Sequence, residues 1–177
     1  MKSITKNITI AAVIGAAYAA ATMLLSPISY GPIQCRISEV LCILPFFFPG
    51  ASYGLYAGCL LSNLMSAAGL PDVIFGSLAT LLAAMCTARL GRSFRETGIV
   101  PKMSTTVLAC SMPVLFNMPI IGAILSITYT PANFVQGFIV CGLQVGAGEA
   151  LVMFCLALPL ARYLHKSQLM GKYITSI

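Results

Sequence analysis

The chain has 177 residues, of which 59% are hydrophobic and only 8% are charged, and its formal net charge is +6. Its mean hydropathy is +0.95. Soluble domains carry roughly a quarter charged residues, so this chain has too few charges to cover a water-facing surface. The composition therefore excludes a soluble globular domain and predicts an integral membrane protein.

Six apolar segments divide the chain, and they predict an all-α integral membrane protein with about six transmembrane helices in a single domain, residues 1–177. The first segment has a basic start, an apolar run and several alanines, which are also features of a signal peptide. Because further apolar segments follow it, we interpret it as a retained first helix. The six segments are Ile8 to Leu25, Val40 to Phe48, Ala51 to Ala68, Val73 to Leu90, Met103 to Ile127 and Phe134 to Leu164.

The second apolar segment is too short to cross a bilayer by itself. A helix needs roughly 20 residues to span the hydrocarbon core, and Pro45 and Pro49 interrupt this segment. We therefore expect its helix to begin near Ser38 and to be tilted or only partly spanning.

The basic residues predict how the helices are oriented. With six spans, nine of the ten Lys and Arg residues fall on the side that holds both termini and the loop from Arg89 to Lys102. Basic residues are enriched on the cytoplasmic side of membrane proteins, so both termini are predicted to be cytoplasmic. This arrangement accounts for the charge of +6 without a nucleic-acid partner.

Glu149 is the most informative polar residue, because it lies near the middle of the last apolar segment. A carboxylate at the centre of a bilayer is costly unless it faces a cavity or a partner. One interpretation makes Glu149 an acceptor for a bound ligand. The other places it in a hydrogen-bonded cluster that locks helices together, with Arg36 or Asn117 as its partner.

Two asparagines lie in the outer halves of predicted spans. Asn117 stands between Pro113 and Pro119, and because each proline removes a backbone donor, this helix is expected to be kinked or locally open. Broken helices at membrane depth mainly line cavities, so Asn117 is a candidate ligand contact; alternatively, it satisfies a freed carbonyl. Asn63 is a second candidate, which could equally bridge two helices.

Further polar residues fall on the outer side and are expected to line an outward-facing cavity. Asp72 follows Pro71 at a predicted helix start, where a carboxylate caps free backbone donors, and we favour capping there. The same caution applies to Glu39. Arg36 is the one basic residue that the predicted topology places on the outer side, and Gln34 lies near it in the first outer loop.

The first helix carries small residues spaced by four. Ala12, Ala16 and Ala20 form one row, and a second row beside it contains Ala11, Gly15 and Ala19. Small residues let helices approach closely, which suits either packing inside the protein or contact with another membrane protein.

Motifs for catalysis are missing from the sequence. It contains no P-loop, no nucleophile elbow, no zinc-protease motif and no acidic cluster spaced for a metal ion. The seven cysteines are scattered through apolar stretches and are expected to pack as small hydrophobic residues. We predict that the chain is not an enzyme and carries no cofactor or metal, so an ATP-driven role would require separate ATPases.

Three segments of the chain have a distinctive sequence: YGPIQCRISEVLCILPFF (Tyr30 to Phe47), PDVIFGSLATLLAA (Pro71 to Ala84) and GEALVMFCLALPL (Gly148 to Leu160). They resemble the QueT family, whose members are the substrate-specific S components of energy-coupling-factor (ECF) transporters. The similarity extends from the first helix to about Leu160, which is nearly the whole chain.

The resemblance implies a six-helix S-component bundle in the cell membrane of a prokaryote, with a binding site in the outer half of the membrane. The loop between the first two helices would close this site over a queuosine precursor, such as preQ0, preQ1 or queuine. The implied partners are a transmembrane coupling protein and two cytoplasmic ATPases that use ATP. In related S components, alanines of the first helix contact the coupling protein, which matches the row of Ala12, Ala16 and Ala20.

A 7-deazaguanine ligand also implies a role for each polar side chain. A carboxylate can accept two parallel hydrogen bonds from the donor edge of the ring, and we assign this role to Glu149. The ring carbonyl would accept from Asn117, Gln34 or Arg36. The ring face would stack on Tyr30 or Phe116, and Glu39 or Asp72 would hold the cation of an aminomethyl precursor.

Other functions fit parts of the same sequence. The chain could be an S component for a different vitamin, or an assembly subunit whose buried polar groups only fix helix packing. A self-sufficient carrier is disfavoured because no internal repeat is found. A membrane enzyme is disfavoured because the chain has no catalytic constellation.

Overall fold

Helices form in all six apolar segments. The computed structural model describes residues 2–30 and 34–166, and this part of the chain contains helices and turns but no strand, which confirms the all-α prediction. In chain order the elements are α1 (Lys2–Leu24), α2 (Ser26–Ser29), a 3₁₀ helix (Ile37–Phe46), α3 (Ala51–Asn63), a π-helical turn (Asp72–Gly76) leading into α4 (Ser77–Leu90), α5 (Arg92–Thr97), α6 (Met103–Tyr129), a 3₁₀ turn (Pro131–Asn133), α7 (Phe134–Val152), a second π-helical turn (Met153–Ala157) and α8 (Leu158–Lys166).

Four helical stretches are long and apolar enough to cross a membrane. They are Ile4–Leu24, Asp72–Leu90, Met103–Tyr129 and Pro131–Lys166. The shortest of them has 19 residues, which at about 1.5 Å per residue nearly covers a hydrocarbon core of about 30 Å. The chain is therefore a multi-pass membrane protein.

Two further helices are shorter than a bilayer is thick. The 3₁₀ helix Ile37–Phe46 has 10 residues and α3 has 13, so each rises about 20 Å. The 3₁₀ helix begins within a residue of the predicted start at Ser38, and its length agrees with the expectation that it only partly spans. The total of six spans stays a prediction.

Helices α1 and α3 pack with almost no side chain between them. A Cβ atom on Gly15 would lie 2.6 Å from the carbonyl oxygen of Gly54, and one on Gly54 or Gly58 would overlap the carbonyl of Ala11 or Gly15. Gly54 meets Ala11, and Gly58, one turn further along α3, meets Gly15, one turn further along α1. The two helices therefore run parallel. The row of Ala11 and Gly15 therefore packs inside the protein.

Arg95 joins α5 to the end of the 3₁₀ helix. Its guanidinium donates to the carbonyl oxygens of Phe46 at 2.6 Å and Ala88 at 2.8 Å. His165 of α8 packs against the rings of Phe46 and Phe94, with centroids 5.3 and 4.9 Å away. The end of α8 and the end of the 3₁₀ helix thus meet at α5.

The start of α1 lies at this same end of the bundle. Helix α3 begins there, shortly after the 3₁₀ helix ends, and α1 runs parallel to α3. Arg162 also lies there, with its guanidinium 3.0 Å from the sulfur of Met103 at the start of α6. The basic segments near both ends of the described chain therefore lie at the same end of the bundle, as the charge pattern predicts. Lys172 lies outside the described residues. Which side of the membrane this end faces stays a prediction.

Helix α6 is unbroken although Pro113 and Pro119 lie inside it, so it is not locally open, while the alternative expectation of a kink stays a prediction. Pro113 deprives the carbonyl of Ala109 of its usual N–H donor. The hydroxyl of Thr87, on α4, donates to that oxygen at 3.3 Å instead. A neighbouring helix thus satisfies the freed carbonyl, as is common in membrane proteins.

Candidate functional site

Seven of the eight residues predicted to bind substrate are buried, and the eighth, Tyr30, is half-buried. Their exposed fractions are 8% or less: Gln34, Arg36, Glu39, Asn63, Asp72, Asn117 and Glu149. The whole chain has four Asp and Glu residues, and three of them belong to this set. We call these seven residues, together with Tyr18 and Tyr30, the polar cluster.

Glu149 and Asn117 join the last two long helices. The side-chain amide of Asn117, on α6, donates to Glu149 Oε1, on α7, at 3.0 Å. The carboxyl group of Glu149 also contacts that of Glu39. The bond to Asn117, which was considered as the alternative to ligand binding by Glu149, is therefore present, and Asn117 donates to this carboxyl group and not to the backbone carbonyl freed by Pro113.

Glu39 is held by two donors. The hydroxyl of Tyr18, on α1, donates to Glu39 Oε1, and the thiol of Cys42 donates to Oε2 at 2.8 Å. A second bond between the same elements joins the hydroxyls of Thr22 and Ser38 at 2.6 Å. Both oxygens of Glu39 are thus occupied, and α1 is tied directly to the polar cluster.

Tyr18 is a member of the cluster that the sequence analysis missed. It is fully buried and lies on the face of α1 that packs against α3, one turn beyond Gly15. A tyrosine on the inner face of an alanine-rich membrane helix needs a partner for its hydroxyl. That requirement is the signal that could have identified Tyr18.

Asp72 pairs with Arg36, which corrects the preferred interpretation of Asp72 as a helix cap. Arg36 Nη2 lies 3.5 Å from Asp72 Oδ2, and both side chains are buried. The side-chain amide of Asn63, at the end of α3, donates to the backbone carbonyl of Asp72 at 3.0 Å. Asp72 is the first residue of a π-helical turn that has no side-chain cap. Glu39, for which capping was also considered, contacts Tyr18 and Cys42 instead.

The outer loop brings Tyr30 and Gln34 to the same region. The Tyr30 hydroxyl donates to the backbone carbonyl of Ser62 at 2.5 Å, and Arg36 Cζ lies 5.4 Å from the centre of the Tyr30 ring. Gln34 has a positive φ of 45°, and its carbonyl accepts from the backbone N–H of Arg36 at 3.0 Å. Arg36 therefore approaches the Tyr30 ring that was predicted to stack on a ligand. Phe116, the other predicted stacking residue, is half-buried, and residues 31–33 of the loop lie outside the described residues.

Four buried polar atoms of the cluster have no hydrogen-bond partner within the described chain. They are Nε of Arg36 and Oδ1 of Asn63, Asp72 and Asn117. Buried donors and acceptors are rarely left unpaired, because each unpaired group costs about 1–3 kcal/mol. The cluster thus offers one free donor and three free acceptors to a bound molecule.

The predicted partner interface lies on a different face of the protein. Ala12, Ala16 and Ala20 are exposed, and Ala12 and Ala16 line an apolar groove of about 690 Å³ between α1 and α3. A second cavity of about 330 Å³ lies beside Met118 and Gly142. Neither space is lined by a residue of the polar cluster.

The described residues contain no group of three or more His, Cys, Asp and Glu side chains arranged to hold a metal ion. The four long apolar helices and the polar cluster between them define a polytopic α-helical membrane protein with a buried polar centre. Residues 8–166 match the model of a family described as QueT transporter. The chain therefore belongs to the QueT family, which is a family of transporters and not of enzymes.

One curated relative is the queuosine precursor transporter QueT of Lactococcus lactis subsp. cremoris (strain MG1363). It is 40% identical over 97 residues, which are 54% of this chain and 57% of the relative. The alignment with this relative therefore spans little more than half of either protein. No solved structure matches the chain.

Proposed function

We propose that the chain is the membrane-embedded, substrate-binding subunit of an ECF-type ABC importer, and that it captures a 7-deazaguanine precursor of queuosine. The supporting observation is the polar cluster, in which three carboxylates, one guanidinium and two asparagine amides converge inside an apolar bundle. Intramembrane ionisable residues are rare and commonly mark substrate pathways. The name of the Lactococcus relative supports the class of ligand.

The proposed ligand is complementary to the polar cluster. The donor edge of a 7-deazaguanine presents neighbouring N–H groups, and a carboxylate can accept two of them. Glu149 accepts from Asn117 at Oε1 and contacts the carboxyl group of Glu39, but a carboxylate has about four lone-pair sites and can accept further N–H groups. The ring carbonyl would accept from the free Nε of Arg36. The role of Arg36 rests on an atom that has no partner within the described residues, and the role of Glu149 rests on the spare lone pairs of its carboxylate.

A second candidate is an assembly subunit that binds no ligand. The bonds from Tyr18 to Glu39, from Asn117 to Glu149 and from Arg36 to Asp72 join different helices, as a purely structural network would. Such a network, however, leaves no reason for the free acceptors on Asn63, Asp72 and Asn117. Ligand binding accounts for both observations.

The experiment that separates the two candidates is a thermal-stability panel on the purified, detergent-solubilised protein. The panel contains queuine, its nitrile and aminomethyl deazaguanine precursors, guanine, riboflavin, thiamine and biotin. A ligand at a hundred times its Kd stabilises the folded state by about 2.7 kcal/mol. We expect only the deazaguanines to raise the Tm. A shift with another vitamin alone would retain the class and replace the substrate, and no shift with any compound would support the assembly subunit.

We further propose that the exposed row of Ala12, Ala16 and Ala20 docks onto a transmembrane coupling protein, and that two cytoplasmic ATPases bound to it supply the energy from ATP. Both termini would then face the cytoplasm of a prokaryotic cell. The row is exposed while the neighbouring row packs against α3, so one helix provides both an internal contact and a free surface. Close approach of a second helix requires small residues on that surface.

Ala16→Leu is predicted to reduce uptake strongly without changing the stability or ligand affinity of the isolated subunit. Because Ala16 is exposed, a larger side chain would leave the fold and the ligand affinity intact, yet it would separate the helices at the docking surface. We expect uptake of a labelled precursor by intact cells to fall at least about tenfold, while the Tm and the Kd of the purified protein stay at wild-type values. Ala17→Leu, at an exposed position on another face of α1, is the matched control. Wild-type uptake by Ala16→Leu would exclude this row as the docking surface.

A further inference from the structure

Glu39 and Glu149 bring two carboxyl groups into contact inside the bundle. Both side chains are buried, with exposed fractions of 1% and 4%. Two carboxylates in contact repel each other, and burial strengthens the repulsion because little water screens it. Two carboxyl groups that touch in such a place instead share one proton, which forms a hydrogen bond between them. The contact between Glu39 and Glu149 therefore requires one proton.

The nearby charges do not offset a second anion. Arg36 is the one basic side chain that is buried among the described residues, and Asp72 already pairs with it at 3.5 Å. Other titratable groups around the two glutamates are the hydroxyl of Tyr18 and the thiols of Cys42 and Cys59, which are ordinarily neutral at pH 7. With one shared proton, the four charged residues of the cluster carry a single negative charge. Without it they would carry two, and burying an uncompensated charge is costly.

The hydrogen bonds on Glu39 indicate which of its oxygens can hold this proton. Oε1 accepts from the hydroxyl of Tyr18, and Oε2 accepts from the thiol of Cys42 at 2.8 Å. A thiol is only a weak donor, and its sulfur is also a weak acceptor. A proton on Oε2 therefore keeps the bond from Tyr18 and disturbs only the weaker contact. Glu39 can thus be the neutral member of the pair.

Asn117 places a free acceptor beside Glu149. Its side-chain nitrogen donates to Glu149 Oε1 at 3.0 Å, whereas Oδ1 of the same amide is buried and has no donor within the described residues. When Glu149 is ionised, its carboxylate and this Oδ1 are neighbouring acceptors. When Glu149 is protonated, one of its oxygens is used as a donor toward Glu39. The N–H groups of a ligand therefore favour the state in which Glu39 has the proton.

We propose that Glu39 and Glu149 hold one proton between them, and that Glu39 takes this proton when a ligand occupies Glu149. Glu39 is then a positioning residue: as a neutral acid it donates to Glu149 and keeps that carboxylate ionised. The O–H bond on Glu149 breaks as an O–H bond forms on Glu39, so no proton enters or leaves the protein. This inference rests on the proposed function, because it needs the donor edge of a deazaguanine at Glu149.

Infrared spectroscopy of the purified protein, in a detergent without ester groups, tests for the proton before any ligand is added. A protonated carboxyl group has a carbonyl stretch that a carboxylate lacks, and exchange into D₂O shifts it. We expect wild type to show this band at neutral pH and Glu39→Gln to lack it. Glu96→Gln, at an exposed carboxylate that pairs with Arg92, is the matched control and should keep the band. A wild-type spectrum without the band would overturn the proposal.

Calorimetric titration with unsubstituted 7-deazaguanine shows where the proton goes on binding. Titrations in two buffers with different ionisation enthalpies count the protons that are exchanged with solvent. We expect no net exchange at neutral pH, and we expect the infrared band to persist in the complex, because the proton only crosses from Glu149 to Glu39. Release of about one proton for each bound ligand would mean that the pair loses it, and the role of Glu39 would be wrong.

Glu39→Gln should bind 7-deazaguanine about as tightly as wild type. Glutamine has the charge of a neutral Glu39, its oxygen can accept from Tyr18, and its amide nitrogen can donate to Glu149. Glu39→Ala leaves Tyr18 and Glu149 without this partner, so its Kd should rise at least about tenfold.

An equal loss of affinity in both variants would overturn the positioning role, because Glu39 would then act as an anion. If Glu39→Ala does not fold, the comparison of Glu39→Gln with wild type decides alone, and a tenfold loss there contradicts the proposal. If no deazaguanine bound while the infrared band was present, the proposed function would fail instead. The two failures are therefore distinguishable.

Discussion

Glu149→Gln is expected to weaken binding of a 7-deazaguanine by about 100-fold. The substitution replaces a carboxylate that can accept two hydrogen bonds with an amide that can accept only through one oxygen. Hydrogen bonds to an ionised acceptor are roughly twice as strong as neutral ones, and losing about 2.7 kcal/mol of binding free energy corresponds to this factor. Titration of the purified variant, followed by thermal shift or calorimetry, measures the change in Kd.

The same substitution should leave the unliganded protein at least as stable as wild type. Glutamine retains a carbonyl oxygen that can accept from the side-chain amide of Asn117, so the contact between α6 and α7 can persist. It also removes a carboxylate from a buried position, where desolvation of a charge is costly. A loss of ligand affinity without a loss of Tm would therefore identify Glu149 as a binding residue.

Glu96→Gln is the matched control for this experiment. Glu96 is exposed and pairs with Arg92 one turn earlier on α5, at the end of the bundle that holds the basic residues. We expect the variant to bind ligand as wild type does. If Glu149→Gln also bound the deazaguanine with wild-type affinity, the central contact of the proposed site would be wrong, and the assembly-subunit interpretation would gain support.

Apolar runs and proline positions were sufficient to predict the helices of this protein. Each of the six apolar segments contains helix, and the shortness of the second was evident from Pro45 and Pro49. The 3₁₀ geometry of Ile37–Phe46 was not predicted, and no local pattern indicates the contacts that this helix makes with α1, α4 and the last helices. That α6 stays unbroken was not evident from its prolines, since the hydroxyl that replaces the donor lost at Pro113 comes from Thr87 on another helix.

The composition of the candidate site was predictable, but its pairing was not. A carboxylate, an arginine or an asparagine is conspicuous in an apolar sequence, and the residues singled out for this reason, Glu149, Arg36 and Asn117, are all buried. Asp72 was assigned to a helix cap, because Pro71 before it is a local signal for a helix start. Its partner Arg36 is remote in sequence, and no local pattern indicates such a pair. Tyr18 was missed because a tyrosine in a membrane helix is not conspicuous by polarity alone.

The two small-residue rows of α1 also show that a local sequence pattern does not identify the partner of a residue. Spacing alone did not decide whether Ala11 and Gly15, or Ala12 and Ala16, pack inside the protein. The partner helix decides it, because Gly54 and Gly58 of α3 face the first row. These glycines belong to a different segment of the chain, and only the three-dimensional structure shows which face of α1 they contact.

Gly54→Leu is expected to unfold the protein or to lower its free energy of unfolding by more than about 3 kcal/mol. A Cβ atom at Gly54 would already overlap the backbone carbonyl of Ala11, and a backbone cannot move aside as a flexible side chain can. The substitution would push α1 away from α3, and with it Tyr18, which holds Glu39. We therefore expect ligand binding to be lost together with stability.

Thermal unfolding can be followed with a thiol-reactive dye, because the chain has no tryptophan and Cys42, Cys59 and Cys110 are buried until it unfolds. Gly50→Ala serves as the control at the start of α3, since its Cβ meets no other atom within 4 Å, and it should melt with wild type. A wild-type Tm for Gly54→Leu would show that α1 does not pack against α3 through this row. The exposed and internal faces of α1 would then have to be exchanged, and the docking surface proposed around Ala16 would be withdrawn with them.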